Sequence, residues 1–178
     1  MSKLALLLLF LFVFSAFANV EEDSKQGKIR VLAIDGGGIQ GIVAGVILKQ
    51  LEVALQIRDP SARIAEYFDV VAGTSTGGII TAILTAPDPQ NKDRPLYAAN
   101  EIVQFYRQHG PSIFTKSTDC SIPGFWCPKF NGTYLRNIVT EKLDETLLNQ
   151  TTTNVVISSF DVKLLQPTIF SSFKVYIT

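Results

Sequence analysis

"VAGTSTGGII", Val71 to Ile80, decides how this chain is read. Ser75 stands between Thr74 and Thr76, which are flanked in turn by Gly73 and Gly77, with apolar runs on both sides. "GTSTG" fits G-x-S-x-G, the bend in which a strand turns at once into a helix and projects a serine hydroxyl outward. Such a bend needs glycines, because bulk beside the serine would clash. A helix starting after Ser75 aims unpaired N–H groups and its positive end at the bend, which favours negative charge developing there. "YFDVVAG" reads as a buried strand and "GGIITAILTA" as the helix after it, so the motif has its context. The bland alternative is a small-residue turn packed against a neighbour.

A second glycine turn, "DGGGIQG" from Asp35 to Gly41, also lies between a strand ("KIRVLAID") and a helix. That helix is expected over Gly41 to Ile57, with Ile42, Val46, Leu51 and Leu55 at near-helical spacing and "RDP" stopping it. Successive glycines expose backbone N–H groups that form an anion-binding nest. Beside Ser75, the amides of Gly36, Gly37 and Gly38 are placed to hold the oxyanion formed when serine attacks an ester, with the Thr76 N–H as a further donor. Losing one such donor typically costs about 3 kcal/mol of transition-state stabilisation. Gly36, Gly38 and Gly41 also spell the dinucleotide fingerprint G-x-G-x-x-G. Against that reading, "FDVVAG" ends in glycine where an acidic residue is required, and Asp35 would set a carboxylate beside a pyrophosphate. A Walker A loop is excluded, since no G-K-[ST] follows the glycines.

"PDPQNKDRP" reads as a polar loop. Glu101 to His109 reads as a helix with Ile102, Phe105 and Tyr106 on one face, ended by Gly110-Pro111. Pro111 to Phe130 reads as irregular. Tyr134 to Leu148 is amphipathic, with Leu135, Ile138, Val139 and Leu143 in register, and "NVVISSFDVKLLQPTIFSS" makes one or two strands. Strand and helix alternate, which favours a mainly parallel sheet covered by helices on both faces. Ligands of such sheets bind at the carboxyl ends of the strands, where both glycine turns fall.

The 178 residues suffice for one domain, and 47% hydrophobic against 18% charged residues argue for a packed core. Part of the apolar content belongs to the first 18 residues: Lys3, an apolar run from Leu4 to Phe14, then Ala16 and Ala18. These are the zones of a secretory signal peptide cleaved after Ala18; the run is too short for the roughly 20 residues of a membrane span. Residues 19–27 then form a loose mature N-terminus. Removing Lys3 leaves 15 basic and 16 acidic side chains, net −1, which gives no electrostatic reason to bind nucleic acid. In a secretory compartment Cys120 and Cys127 make a local disulfide plausible, with two free buried thiols as the alternative; their spacing does not suit zinc. Asn131 ("NGT") and Asn149 ("NQT") are glycosylation sequons. Phe125 and Trp126 lie in an irregular segment, where they meet a lipid surface or simply pack under their own loop.

The usual base for a nucleophilic serine is histidine. The chain has one, His109, placed where a histidine commonly caps helix carbonyls. A Ser-Asp dyad is the attractive alternative.

"DGGGIQG" followed some thirty residues later by "GTSTGG" resembles the patatin-like acyl hydrolases, plant lipolytic and storage proteins. The likeness extends through "PDPQNKDRPLYAANEIVQFY" and "NVVISSFDVKLLQPTIFSS". It implies a three-layer α/β sandwich related to the α/β-hydrolase plan, with residues 28–178 as its N-terminal part. It implies Ser75 as nucleophile and Gly36, Gly37 and Gly38 as oxyanion hole. It also implies hydrolysis of acyl esters in phospholipids and galactolipids, without metal or cofactor; the signal peptide, for its part, points to the secretory route, ending in the vacuole or outside the cell. The sequence departs from the family pattern at Gln40, where many members carry a basic residue. It departs again in the dyad aspartate, expected in a later D-G-[GA] motif: the only Asp-Gly-Gly here is Asp35-Gly36-Gly37. Asp69 and Asp161 do not match that motif. The expectation is therefore an N-terminal part of a longer protein, weakly active or inactive alone. A storage or defence protein that keeps the fold is the competing function.

Overall fold

The computed structural model describes residues 27–117 and 129–173. The expected leader, most of the N-terminal segment, Cys120, Cys127, Phe125 and Trp126 lie outside the described residues. Along the chain come β1 (Val31–Ile34), α1 (Gly41–Gln56), β2 (Val70–Thr74), α2 (Thr76–Thr85), β3 (Pro87–Asp88) and β4 (Asn91–Pro95). Then follow α3 (Ala99–Ile113), α4 (Gly132–Leu143), β5 (Asn154–Asp161) and β6 (Gln166–Ser171).

The expected α/β architecture is present as a mixed sheet with flanking helices. Its strand order is β1-β2-β5-β6, parallel except for β6, which folds back on β5 as a hairpin. Ile34 pairs with Gly73 and Thr74 with Ser158, so β1, β2 and β5 finish at one rim. Both parallel connections step across the sheet in the same direction, and right-handed crossovers then share a face. On that face Val71 and Val155 are fully buried and α2 lies over them, Gly78 against Ile157. Val31, Ala33 and Ile169 on the opposite face are exposed among the described residues. One cluster, including Ile34, Leu48, Val71, Ile80, Ile102 and Tyr106, forms the core.

Several elements differ from the sequence-based expectation, each for a local reason. The buried stripe of α1 is Gly41, Gly45, Leu48 and Glu52, and Val46 faces solvent. A Cβ at Gly45 would lie 2.7 Å from the Ile102 side chain, so the glycines let α3 approach the α1 backbone. Helix α3 runs through Gly110-Pro111 to Ile113. Pro111 forfeits only the bond to the Arg107 carbonyl, near the helix end, while Gly110 seats the Ile39 side chain. "PDPQNKDRP" forms the hairpin β3–β4, with Pro87 opposite Pro95. Helix α4 starts under an Asn131 cap, whose Oδ1 accepts the Thr133 N–H at 2.9 Å. It stops at Leu143, because Asp144 turns to φ 48°.

Candidate active site

Strand β2 ends at Thr74 and α2 begins at Thr76, which leaves Ser75 alone on the bend. Its backbone sits at φ 55°, ψ −120°, a left-handed conformation unusual for a residue with a Cβ. Such a conformation costs about 1–3 kcal/mol and persists only where the surroundings enforce it. Here they do. The Gly78 and Ile79 N–H groups both donate to the Ser75 carbonyl, at 2.9 and 3.3 Å. A Cβ on Gly73 would run into the Gly77 carbonyl, and one on Gly77 into the Ile34 carbonyl. Helix α2 therefore crosses the β1 and β2 ends backbone to backbone. The bend leaves Ser75 exposed at the rim.

The second glycine turn lies directly beside it. A Cβ on Gly36 would sit 2.8 Å from the Thr74 carbonyl oxygen and 2.9 Å from the Ser75 Cβ. The Gly37 N–H donates to the Thr76 hydroxyl at 3.1 Å, latching the glycine loop to the first residue of α2. Gly38, at φ 60°, opens a single 3-10 turn that leads into α1. Gly38 and Thr76 each begin a helical turn, so neither N–H has an acceptor within its own turn. Gly41, the last glycine of the dinucleotide pattern, is closed off by Tyr106: a Cβ there would lie 2.6 Å from the phenol oxygen.

Tyr106 reaches the site from α3, and nothing in the sequence pattern marked it as more than core. Its hydroxyl donates to the Thr76 carbonyl at 3.3 Å, and burial pushes the phenol up to about 12 from its ordinary 10. Because the folded value lies above the unfolded one, this group's contribution is complete below pH 10 and fades as pH climbs toward 12. Stability of the wild type is therefore expected to fall more steeply over that interval than stability of Tyr106→Phe. At neutral pH the substitution should cost about 1 kcal/mol. Urea midpoints at neutral and alkaline pH check both statements.

A cavity of about 250 Å³ opens at Ser75, walled largely by apolar side chains, among them Ile83, Val139, Ile157 and Phe170. It runs between α2, α4 and the β5–β6 hairpin. The Thr74 and Ser158 hydroxyls share a 2.7 Å hydrogen bond beside the bend.

The carboxylates and the histidine are placed elsewhere. Asp69 lies at the opposite rim, where it accepts the Arg30 N–H at 2.7 Å and the Arg30 Nε at 3.3 Å. The Arg30 side chain and its backbone N–H hold that carboxyl below the usual range. Asp161 Oδ1 accepts the Lys163 and Leu164 N–H groups at 2.8 and 2.9 Å, and so shapes the β5–β6 turn. His109 does not cap a helix end: it lies inside α3, buried, with Nδ1 2.9 Å from the Tyr134 hydroxyl. Among the described residues, no side chain hydrogen-bonds the Ser75 hydroxyl. Asp35 is exposed beside the glycine loop, and Asn131 and Asn149 are both exposed.

The family model of the patatin-like phospholipases matches residues 32–175, spanning both glycine turns, the cavity and the hairpin. The chain belongs to the patatin-like phospholipase family. Patatin-like protein 4 of Arabidopsis thaliana is 51% identical over 162 residues, 88% of this chain and 40% of that protein. Patatin-1-Kuras 2 of Solanum tuberosum is 51% identical over 159 residues, again 88% of this chain and 40% of the relative. Patatin-like protein 1 of Arabidopsis thaliana is 51% identical over 156 residues, 84% and 37%. The chain thus spans about two fifths of the length of these curated patatin relatives.

Proposed function

We propose that this patatin-like chain carries the nucleophile and oxyanion hole of an acyl hydrolase for glycerolipids such as phospholipids and galactolipids. The observation that carries this reading is the strained, exposed Ser75 with Gly36 packed against its Cβ. Ser75 Oγ attacks the acyl carbonyl, the alcohol of the lipid leaves, and water then cleaves the acyl-serine ester. The oxyanion develops beside the Gly36–Gly38 loop and the start of α2. Gly37 already donates to the Thr76 hydroxyl; we therefore assign the Gly38 and Thr76 N–H groups as principal donors, with Gly36 setting the distance between the turns. The 250 Å³ apolar cavity suits an acyl chain. The resemblance calls for an aspartate as base. Asp69 and Asp161 are engaged away from Ser75, and we assign the role to neither. We further propose that residues 28–178 form part of one patatin-like domain and that the protein follows the secretory route to the vacuole or the cell exterior.

Fluorophosphonate labelling tests the nucleophile. Slow, saturable labelling that is lost in Ser75→Ala is the expected result, since the probe reacts only with an activated serine. Equal labelling of the two proteins would remove Ser75 from the mechanism. No labelling of either would favour a storage protein that keeps the fold.

A further inference from the structure

We propose that the tip of the β5–β6 hairpin, residues 162–165, is an anchor that seats in the surface of a lipid bilayer and holds Ser75 against it. This rests on the lipid-hydrolase reading and adds the surface through which the substrate is met. The register fixes where the tip stands. Thr74, the residue before the nucleophile, pairs with Ser158, and β5 continues to Asp161 before turning. Three further strand residues carry the hairpin about 10 Å beyond the nucleophile's rim, on the same side of the sheet as Ser75.

The composition of the tip is wrong for an ordinary turn. Turns favour Gly, Asn, Asp, Ser and Pro, whereas this one reads Val162-Lys163-Leu164-Leu165, with Val162 80%, Leu164 63% and Leu165 76% exposed. Leu165 is held at φ 54°, a conformation that disfavours a branched side chain. The turn is nevertheless built firmly, by the two backbone bonds to Asp161 Oδ1 and by the Asp161–Gln166 pair. Such a point is too small for a stable protein interface, which buries about 800 Å² per partner. A bilayer surface requires no matching shape: it takes apolar side chains into its acyl boundary, while Lys163 meets the phosphate layer. Phe170, on the same hairpin, lines the cavity that opens at Ser75. The same hairpin thus carries both the tip and part of the cavity wall, with the polar pairs Ser159–Thr168 and Asp161–Gln166 between them.

The test uses the protein from residue 19 onward, freed of the apolar leader that would itself enter a bilayer, spun down with vesicles of an equal mixture of phosphatidylcholine and phosphatidylglycerol. The wild type is expected to partition into the pellet. The double variant Leu164→Asp, Leu165→Asp should partition at least about tenfold less while melting like the wild type. Leu164→Ser with Leu165→Asn serves as a second variant if the first is poorly folded. Lys163→Glu should weaken binding to this mixture but not to pure phosphatidylcholine. Failure of the wild type to bind vesicles overturns the proposal. So does equal binding by the tip variants, which would place the contact elsewhere or mean that protein covers the tip. Phosphonate labelling in vesicle-free buffer is read separately: tip-dependent binding without labelling at Ser75 keeps the anchor and rejects the hydrolase.

Discussion

Gly77→Ala is expected to yield little or no folded protein. The added Cβ would run into the Ile34 carbonyl oxygen, and it would also lie 2.8 Å from that carbonyl's carbon and 3.0 Å from the Asp35 oxygen. All three are backbone atoms of β1 and its continuation, so no side-chain rotation relieves the overlap. Either α2 lifts from the sheet or β1 gives way, and both moves dismantle the bend at Ser75. Overpacking ordinarily costs 1–3 kcal/mol, and more where the backbone must shift; we expect a loss above about 3 kcal/mol. That is a large share of the roughly 5–15 kcal/mol that holds a domain folded. Gly132→Ala, where an added Cβ meets nothing within 4 Å, is the matched control. Circular dichroism melts decide the matter: a Gly77→Ala protein melting alongside Gly132→Ala would mean that the close crossing of α2 over β1 is not as described.

Glu52→Ala should be nearly as damaging, for a different reason. The Glu52 carboxylate is 3% exposed, and it accepts the Ala99 N–H at 2.8 Å and the Ile64 N–H at 3.2 Å. Ala99 opens α3, so the carboxylate satisfies one of that helix's unpaired donors and faces its positive end. It also ties α1 to the chain entering β2. Truncation strands both donors and leaves a void, a loss of about 3–5 kcal/mol. Glu52→Gln keeps one acceptor oxygen but turns an amide N–H₂ toward a second donor, so about 1–3 kcal/mol is expected. Urea unfolding should rank wild type above Gln above Ala. An Ala variant with the wild-type midpoint would show that water replaces the carboxylate without cost.

The two examples mark where the sequence was legible and where it was not. Both glycine turns could be read directly, because a tight strand–helix bend restricts residue type within a few positions, and their adjacency followed from the strand-end rule. The strand character of "NVVISSFDVKLLQPTIFSS", though not its return as the β5–β6 hairpin, and the apolar face of α3 were readable from periodicity. The buried side of α1 was not: hydrophobic spacing pointed to Ile42, Val46, Leu51 and Leu55, yet helix contact was made by Gly41 and Gly45, which carry no hydrophobic signal. Glu52 escaped notice because its partners, Ile64 and Ala99, are distant in sequence. In hindsight, a lone carboxylate within "LEVAL" was the available clue. Gly110-Pro111 misled because these residues stop most helices; here the proline falls near the end and the glycine makes room for Ile39. Tyr106 was legible as core but not as a ligand of the Thr76 carbonyl, a contact that only the packing of α3 on α2 creates.

The left-handed backbone at position 75 bears on the choice between a working enzyme and a nitrogen reserve. Glycine would occupy that conformation without tension, so a chain kept only for its bulk would lose nothing, and relax somewhat, by discarding the side chain there. On the reading proposed here, the serine's hydroxyl is what this chain retains in exchange for a less comfortable native state.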